Sequence, residues 1–357
     1  MQGQLRFEKE VMKMKDKLDK NCKLDANENP FTLPEKIRSQ IQKGLNDFKF
    51  NRYPDSQATK LKSKLAEYTS LNLDQLLIGN GSDEILLMIM TAFLAPDKKA
   101  VISKPTFGMY KFYANMIGKG SYDLSLKKDF SIDWPELKKY ACKDDTGLIV
   151  FCSPNNPTGN LINYEKLEKF LKNTDKFVLL DEAYYEFSGE TMIKLVNKYD
   201  NLLVIRTFSK AFALASLRIG YLAANKKIIE RMEKVRSIYN SDRFSQKTAT
   251  LILDEIDSFK KQWKIIKDNR EKLYSNLKKI EGIKAYRSKA NFILFNTELP
   301  EKEIYLNLST AGIKIRYLEN LTLLGDSLRV TVGTEAENKN FIDNLKEVID
   351  KRKEVLR

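Results

Sequence analysis

Five short apolar runs in the middle of the chain set the fold class more firmly than any other feature. AVIS (100–103), GLIVFCS (147–153), KFVLLDEA (176–183), NLLVIRTFS (201–209) and RIGYLAA (218–224) are apolar on consecutive positions instead of alternating ones. A strand with one face in water alternates; a strand covered on both faces does not. The stretches between them, such as EILLMIMTAFL (84–94) and NYEKLEKFLKN (163–173), carry a helical period. Strands alternating with helices predict an α/β domain built on a mainly parallel sheet. From about Ser245 a long helical stretch runs through Ile280, and strand-like IKAYRS, NFILFN and SLRVTVG then mix with helices, which predicts a smaller α+β domain. The expected boundaries are a segment over 1–40 packing with the small domain, a large domain over 41–250 and a small C-terminal domain over 251–357.

Composition narrows the chemistry. The chain has no histidine, which removes Ser-His and Cys-His nucleophile pairs, histidine metal sites and an imidazole general base. Its three cysteines, Cys22, Cys142 and Cys152, have no CxxC spacing, so neither a disulfide framework nor a thiolate metal site is expected. The net charge of +14 would suit nucleic acid, an anionic membrane or small acidic ligands, and its distribution argues against the first two. Lysines are instead spread beside glutamates through helical stretches such as 259–280, as on a solvated surface, and no nucleic-acid-binding motif accompanies them. No apolar run reaches membrane-spanning length and the N-terminus lacks a signal-peptide core, so a cytoplasmic protein is expected.

In an open α/β sheet, ligands bind beyond the carboxyl ends of the strands. Four such ends carry unusual polar groups. GNGSDE (79–84) is a glycine turn opening a helix, with the amides around Ser82 and Asp83 suited to an anion, although an ordinary N-cap would read the same way. SPNNPTG (153–159) is a tightly constrained turn presenting Asn156. Asp181 ends a buried run and calls for a cation, whether a structural Arg or Lys or the protonated ring nitrogen of a cofactor, with Tyr184 three residues on. In RTFSKAFALASLRIG (206–220), Lys210 follows a strand among small apolar residues, with phosphate donors Thr207, Ser209 and Arg218 around it. A Schiff-base lysine, an aspartate for a pyridinium, amide and phenol donors for a ring oxygen and a phosphate cradle together match pyridoxal 5′-phosphate (PLP).

The ordered set LDANENP (24–30), RYPD (52–55), GNGSDEI (79–85), PTFGMY (105–110), SPNNPTG, LLDEAYYEFSGE (179–190), RTFSKAF and LRVTVGT (328–334) resembles the histidinol-phosphate aminotransferase family, within the fold type I, class I/II PLP aminotransferases. The resemblance runs from about Leu24 almost to the C-terminus. It implies that Lys210 links to the cofactor and shuttles the proton, that Asp181 keeps the pyridine nitrogen protonated, and that Asn156 and Tyr184 bond the ring oxygen. It implies further that Phe107 stacks on the ring and that Ser82, Asp83, Thr207, Ser209 and Arg218 hold the phosphate. Tyr53 would reach the phosphate of a neighbouring subunit, which makes a homodimer. Arg329 would bind a substrate carboxylate, Arg316 a substrate phosphate, and Asn27 would also contact substrate. Two features depart from the pattern: Ala213 and Ser216 stand where glycines are usual, and the first 23 residues lack an aromatic-rich opening.

The implied reaction is transfer of the amino group of L-glutamate to imidazole acetol phosphate, giving L-histidinol phosphate and 2-oxoglutarate in histidine biosynthesis. An aromatic or broad-range aminotransferase, or a threonine-phosphate decarboxylase of the same fold, remains an alternative. A basic nucleic-acid-binding protein that has kept an aminotransferase-like shell is the rival from another class.

Overall fold

The computed structural model describes residues 22–356, which form two compact units. The smaller takes residues up to Asn27, Asp268–Tyr286 and Phe292 onward; the larger takes Glu28–Lys267 and Arg287–Asn291. Of the expected N-terminal segment, 1–21 lie outside the described residues. Strand β1 (Cys22–Lys23) belongs to the smaller unit.

The larger unit is built on seven strands: β2 (Leu76–Asn80), β3 (Lys99–Lys104), β4 (Ser121–Ser125), β5 (Thr146–Cys152), β6 (Phe177–Asp181), β7 (Leu202–Thr207) and β8 (Ile219–Ala224), in the spatial order β2-β8-β7-β6-β5-β3-β4. The pairs from β4 through β7 are parallel, while β8 runs antiparallel to both β7 and β2. The mainly parallel α/β class is as expected. Every residue of β7 and β8 is buried, which explains why these runs show no alternation. Strand β4 had not been expected, since SYDLS is a polar edge strand with one buried residue; the short strand β2 was implied only through the turn GNGSDE at its end.

One face of this sheet packs Leu148, Val150, Leu179, Leu203 and Ile205 against the helices Gly81–Phe93, Met109–Met116 and Lys226–Glu233. The stretch GSDEILLMIMTAF is apolar nearly all round because it crosses the centre of that face.

Three parts of the expected boundaries differ from the observed partition: residues 28–40, 251–267 and 287–291 fall in the larger unit. The helices Glu35–Leu45, Thr59–Thr69 and Arg243–Asp254 pack on one another there. The helical stretch from Ser245 is two helices, Arg243–Asp254 and Ile256–Lys278, with Glu255 between them.

The smaller unit holds the antiparallel sheet β9 (Ile283–Ala285), β10 (Phe292–Thr297), β12 (Arg316–Leu321) and β13 (Gly325–Thr331), in the order β12-β13-β10-β9, and a parallel pair of β1 with β11 (Ile313–Lys314). Among the described residues no helix is long and apolar enough to cross a membrane, and no group of three or more Cys, Asp or Glu residues could hold a metal.

Candidate active site

In the larger unit the expected residues converge at the carboxyl ends of the parallel strands. Asp181 is the last residue of β6 and is 4% exposed. Its Oδ2 accepts a 2.7 Å hydrogen bond from the phenol of Tyr110, and its Oδ1 accepts the Ala183 amide at 2.9 Å. Burial pushes its pKa up from 3.8 to about 6, with Asp83 and Glu182 adding to the rise and the two donors opposing it. A carboxylate raised in this way is poised for a cationic partner.

The turn after β5 uses its two asparagines differently. Asn155 ties the turn down, its amide donating to the Pro105 carbonyl at 2.9 Å and to Thr158 Oγ1 at 2.6 Å, while its Oδ1 accepts from Thr106 at 2.6 Å. Asn156, held in place by that anchor, donates to the Tyr184 hydroxyl at 3.3 Å. Phe107, on the neighbouring loop, meets Tyr110 edge-on with ring centroids 5.6 Å apart.

The end of β7 and the start of β8 form a cradle. Thr207 Oγ1 and Ser209 Oγ lie 2.9 Å apart, and Arg218 donates to Ser209 Oγ at 3.3 Å and to Asp83 Oδ2 at 2.9 Å. Ser82 and Asp83 lie in the first turn of the helix Gly81–Phe93, whose N-cap, Asn80, makes no side-chain cap bond. The ordinary-cap reading of GNGSDE therefore does not apply to Ser82 or Asp83. Two glycines keep the cradle open. A Cβ on Gly81, at φ +77°, would lie 2.4 Å from the Arg218 guanidinium, and one on Gly220 would lie 2.6 Å from the Ser82 amide nitrogen.

Lys210 is half-buried in the turn after β7, and its sequence neighbours Phe208 and Phe212 are buried with ring centroids 4.6 Å apart. The carbonyl of the next residue, Ala211, accepts two hydrogen bonds, from Asn29 at 3.0 Å and from the Trp263 indole at 2.8 Å. Phe212 packs edge-on against Trp263. This pins the lysine segment. Ala213, in place of the usual glycine, adopts φ +55°, so the departure costs torsional strain and not only volume.

Tyr53 is 74% exposed and stacks on Tyr239 with centroids 4.4 Å apart. It is not drawn into the cluster around Asp181.

In the smaller unit, Arg316 and Arg329 are direct partners across β12 and β13. Thirteen positions apart in sequence, they share one face of the sheet. Arg329 is buried and donates to the Asp25 carbonyl at 2.7 Å, whereas Arg316 is exposed. Asn27, buried at φ +54°, donates its backbone N–H to Thr331 Oγ1 at 2.9 Å. Like charges directly opposed on a sheet destabilise it, so this pair is suited to an anion.

Sequence reading had not singled out Tyr110, Asn155, Asn29, Trp263 or Gly220. Tyr110 and Asn29 stand inside motifs already noticed, PTFGMY and LDANENP. Trp263 sits within a helical period and looks like any core aromatic.

Residues 19–345 match the family described as aminotransferase class I and II. The chain belongs to that family. Transamination in the class I and II aminotransferases runs on PLP, and the mixed seven-stranded sheet with a smaller unit is their fold type I arrangement. Among curated relatives, the histidinol-phosphate aminotransferase of Ruminiclostridium cellulolyticum is 38% identical over 327 residues, covering 90% of this chain and 91% of the relative. That of Thermoanaerobacter pseudethanolicus is also 38% identical, with 92% and 93% covered. The crystal structure of the Clostridium acetobutylicum histidinol-phosphate aminotransferase superposes with a TM-score of 0.85 at 27% identity, over 92% of this chain and 99% of the other.

Proposed function

We propose that this class I and II aminotransferase transfers the amino group of L-glutamate to imidazole acetol phosphate, giving L-histidinol phosphate and 2-oxoglutarate, as a cytoplasmic homodimer. The opposed pair Arg316 and Arg329 carries the substrate assignment. One guanidinium is buried and held by a backbone carbonyl, the other is exposed. The two substrates taken in turn bear a carboxylate and a phosphate, and planar guanidiniums bind both. The relatives at 38% identity support the same reading.

The residues present fit PLP. A buried carboxylate with a raised pKa suits a pyridinium, and a hydroxyl–guanidinium cradle cleared of Cβ atoms beside a helix N-terminus suits a phosphate. When bound, PLP supplies an electrophilic carbon and a sink for the electrons left when the substrate loses its Cα proton. Asp181 holds the pyridine nitrogen protonated, and Asn156 and Tyr184 hydrogen-bond the ring oxygen. Phe107 covers one ring face. Thr207, Ser209, Arg218 and the amides of Ser82 and Asp83 bind the phosphate, and Tyr53 reaches the phosphate of the second copy. Lys210 would hold the cofactor through its Nζ amine and would be the base that takes the proton from the substrate Cα. Arg329 orients the donor carboxylate, with Asn27 beside it in the same role, and Arg316 takes the acceptor phosphate.

Half-reactions test this. Glutamate should convert the bound cofactor to its amine form, and imidazole acetol phosphate should convert it back; Lys210→Ala should abolish both changes. Release of CO₂ without amino transfer, or faster turnover of phenylalanine or tyrosine than of histidinol phosphate, would reject the assignment.

A further inference from the structure

We infer that Tyr110 is a positioning residue of the reaction, aligning both the carboxylate that faces the cofactor's ring nitrogen and the aromatic ring that covers the cofactor. The inference rests on the reading of Asp181 and Phe107 as cofactor contacts. Tyr110 is completely buried at the start of the helix Met109–Met116, on the core face of the sheet. Its hydroxyl donates to Asp181 Oδ2 at 2.7 Å, and its ring meets Phe107 edge-on at 5.6 Å. One side chain thus touches two proposed cofactor contacts from behind.

The bond has a direction. Burial holds the Tyr110 phenol well above its ordinary pKa, so it stays protonated and acts as a fixed donor. The carboxylate has few other sources of help. Asp83 and Glu182 bear like charge, Glu182 being paired with Arg206; Cys152 is buried and held protonated; the Ala183 amide is the other donor. The Tyr110 bond therefore favours ionised Asp181, the form that pairs with a pyridinium. In a chain without imidazole, a phenol fills the supporting position.

Tyr110→Phe keeps the ring and its contact with Phe107 while removing the donor. PLP affinity of the cofactor-free protein, read by fluorescence titration across pH, should weaken by about tenfold or more, the value of a hydrogen bond to a charged group. The acid limb of the affinity profile should move to higher pH. In an Asp181→Asn background the same substitution should cost less than about twofold, because no charge remains to support. An unmoved limb with affinity within about twofold of wild type, or an equal cost in both backgrounds, overturns the proposal. Should Tyr110→Phe not fold, 3-fluorotyrosine at position 110, a stronger donor, should move the limb to lower pH, and an unmoved limb overturns the proposal. Wild type that binds no PLP overturns the functional reading itself, which separates the two failures.

Discussion

Asp181 shows what a single site residue costs the fold. Its pKa in the folded chain, about 6, lies above its ordinary 3.8. The unfolded chain gives up this proton first, so the cofactor-free protein loses stability as pH rises from about 4 to about 6 and stays weakened above. Asp181→Asn should remove that loss. At pH 8 the cofactor-free variant should be more stable than wild type by on the order of 2 kcal/mol, and the gain should fade toward pH 4, as read from urea unfolding. PLP binding should fall at the same time, since the amide cannot pair with a pyridinium. Ala213 carries a smaller strain. A left-handed conformation costs an L-residue roughly 1–2 kcal/mol, and glycine gives back about 0.4–1 kcal/mol through the unfolded chain. Ala213→Gly should therefore raise stability by about 0.5 kcal/mol in the same measurement.

At the scale of elements, the ends of β6 and β7 present different chemistry on their two faces. Asp181 and Thr207 face the site, while the adjacent Glu182 and Arg206 form a fully buried ion pair on the opposite side. Glu182 Oε2 accepts Arg206 Nε at 3.0 Å and Nη2 at 2.7 Å, and its Oε1 accepts the Met192 amide. The Arg206 guanidinium also lies 3.6 Å from the centroid of the Tyr185 ring. The pair clamps the two strand ends in register, next to the residues proposed to contact the cofactor. Glu182→Gln leaves a buried guanidinium poorly compensated and should cost about 3 kcal/mol in unfolding free energy, the low end for a broken buried pair because Glu186 remains nearby. Between β8 and the helix Gly81–Phe93 the clearance is set by Gly220. Gly220→Ala would drive a methyl to 2.6 Å from the Ser82 amide nitrogen and should weaken PLP binding by about tenfold, with a stability loss of roughly 1–3 kcal/mol.

For the whole molecule, the two arginines of the smaller unit should separate the two substrates. Arg329→Leu should raise KM for glutamate by about 10- to 100-fold, the worth of charge-assisted hydrogen bonds. Arg316→Leu should raise KM for histidinol phosphate by a similar factor and that for glutamate by much less. Steady-state kinetics with both donors distinguishes this from a single shared anion site, in which both variants would impair both substrates alike.

The periodicity of the chain by itself determined the α/β class and the core strands β3, β5, β6, β7 and β8, because strands covered on both faces leave uninterrupted apolar runs. It also placed Asp181, Asn156, Lys210 and Arg218 at strand ends, where a buried run meeting a polar turn is visible in one dimension. Strand β4 escaped because it is a polar edge, and β2 showed only through the glycine turn at its end. Tertiary structure alone decided what stands behind the site. Tyr110 meets Asp181 across 71 positions, and Arg316 faces Arg329 only through the register of a hairpin. Gly220 clears space for an amide 138 positions away in sequence. Trp263 and Asn29 share one carbonyl from opposite ends of the larger unit's sequence. Hydrogen-bond partners and close approaches of this kind depend on distances between segments remote in sequence, and no local pattern of residues encodes such a distance.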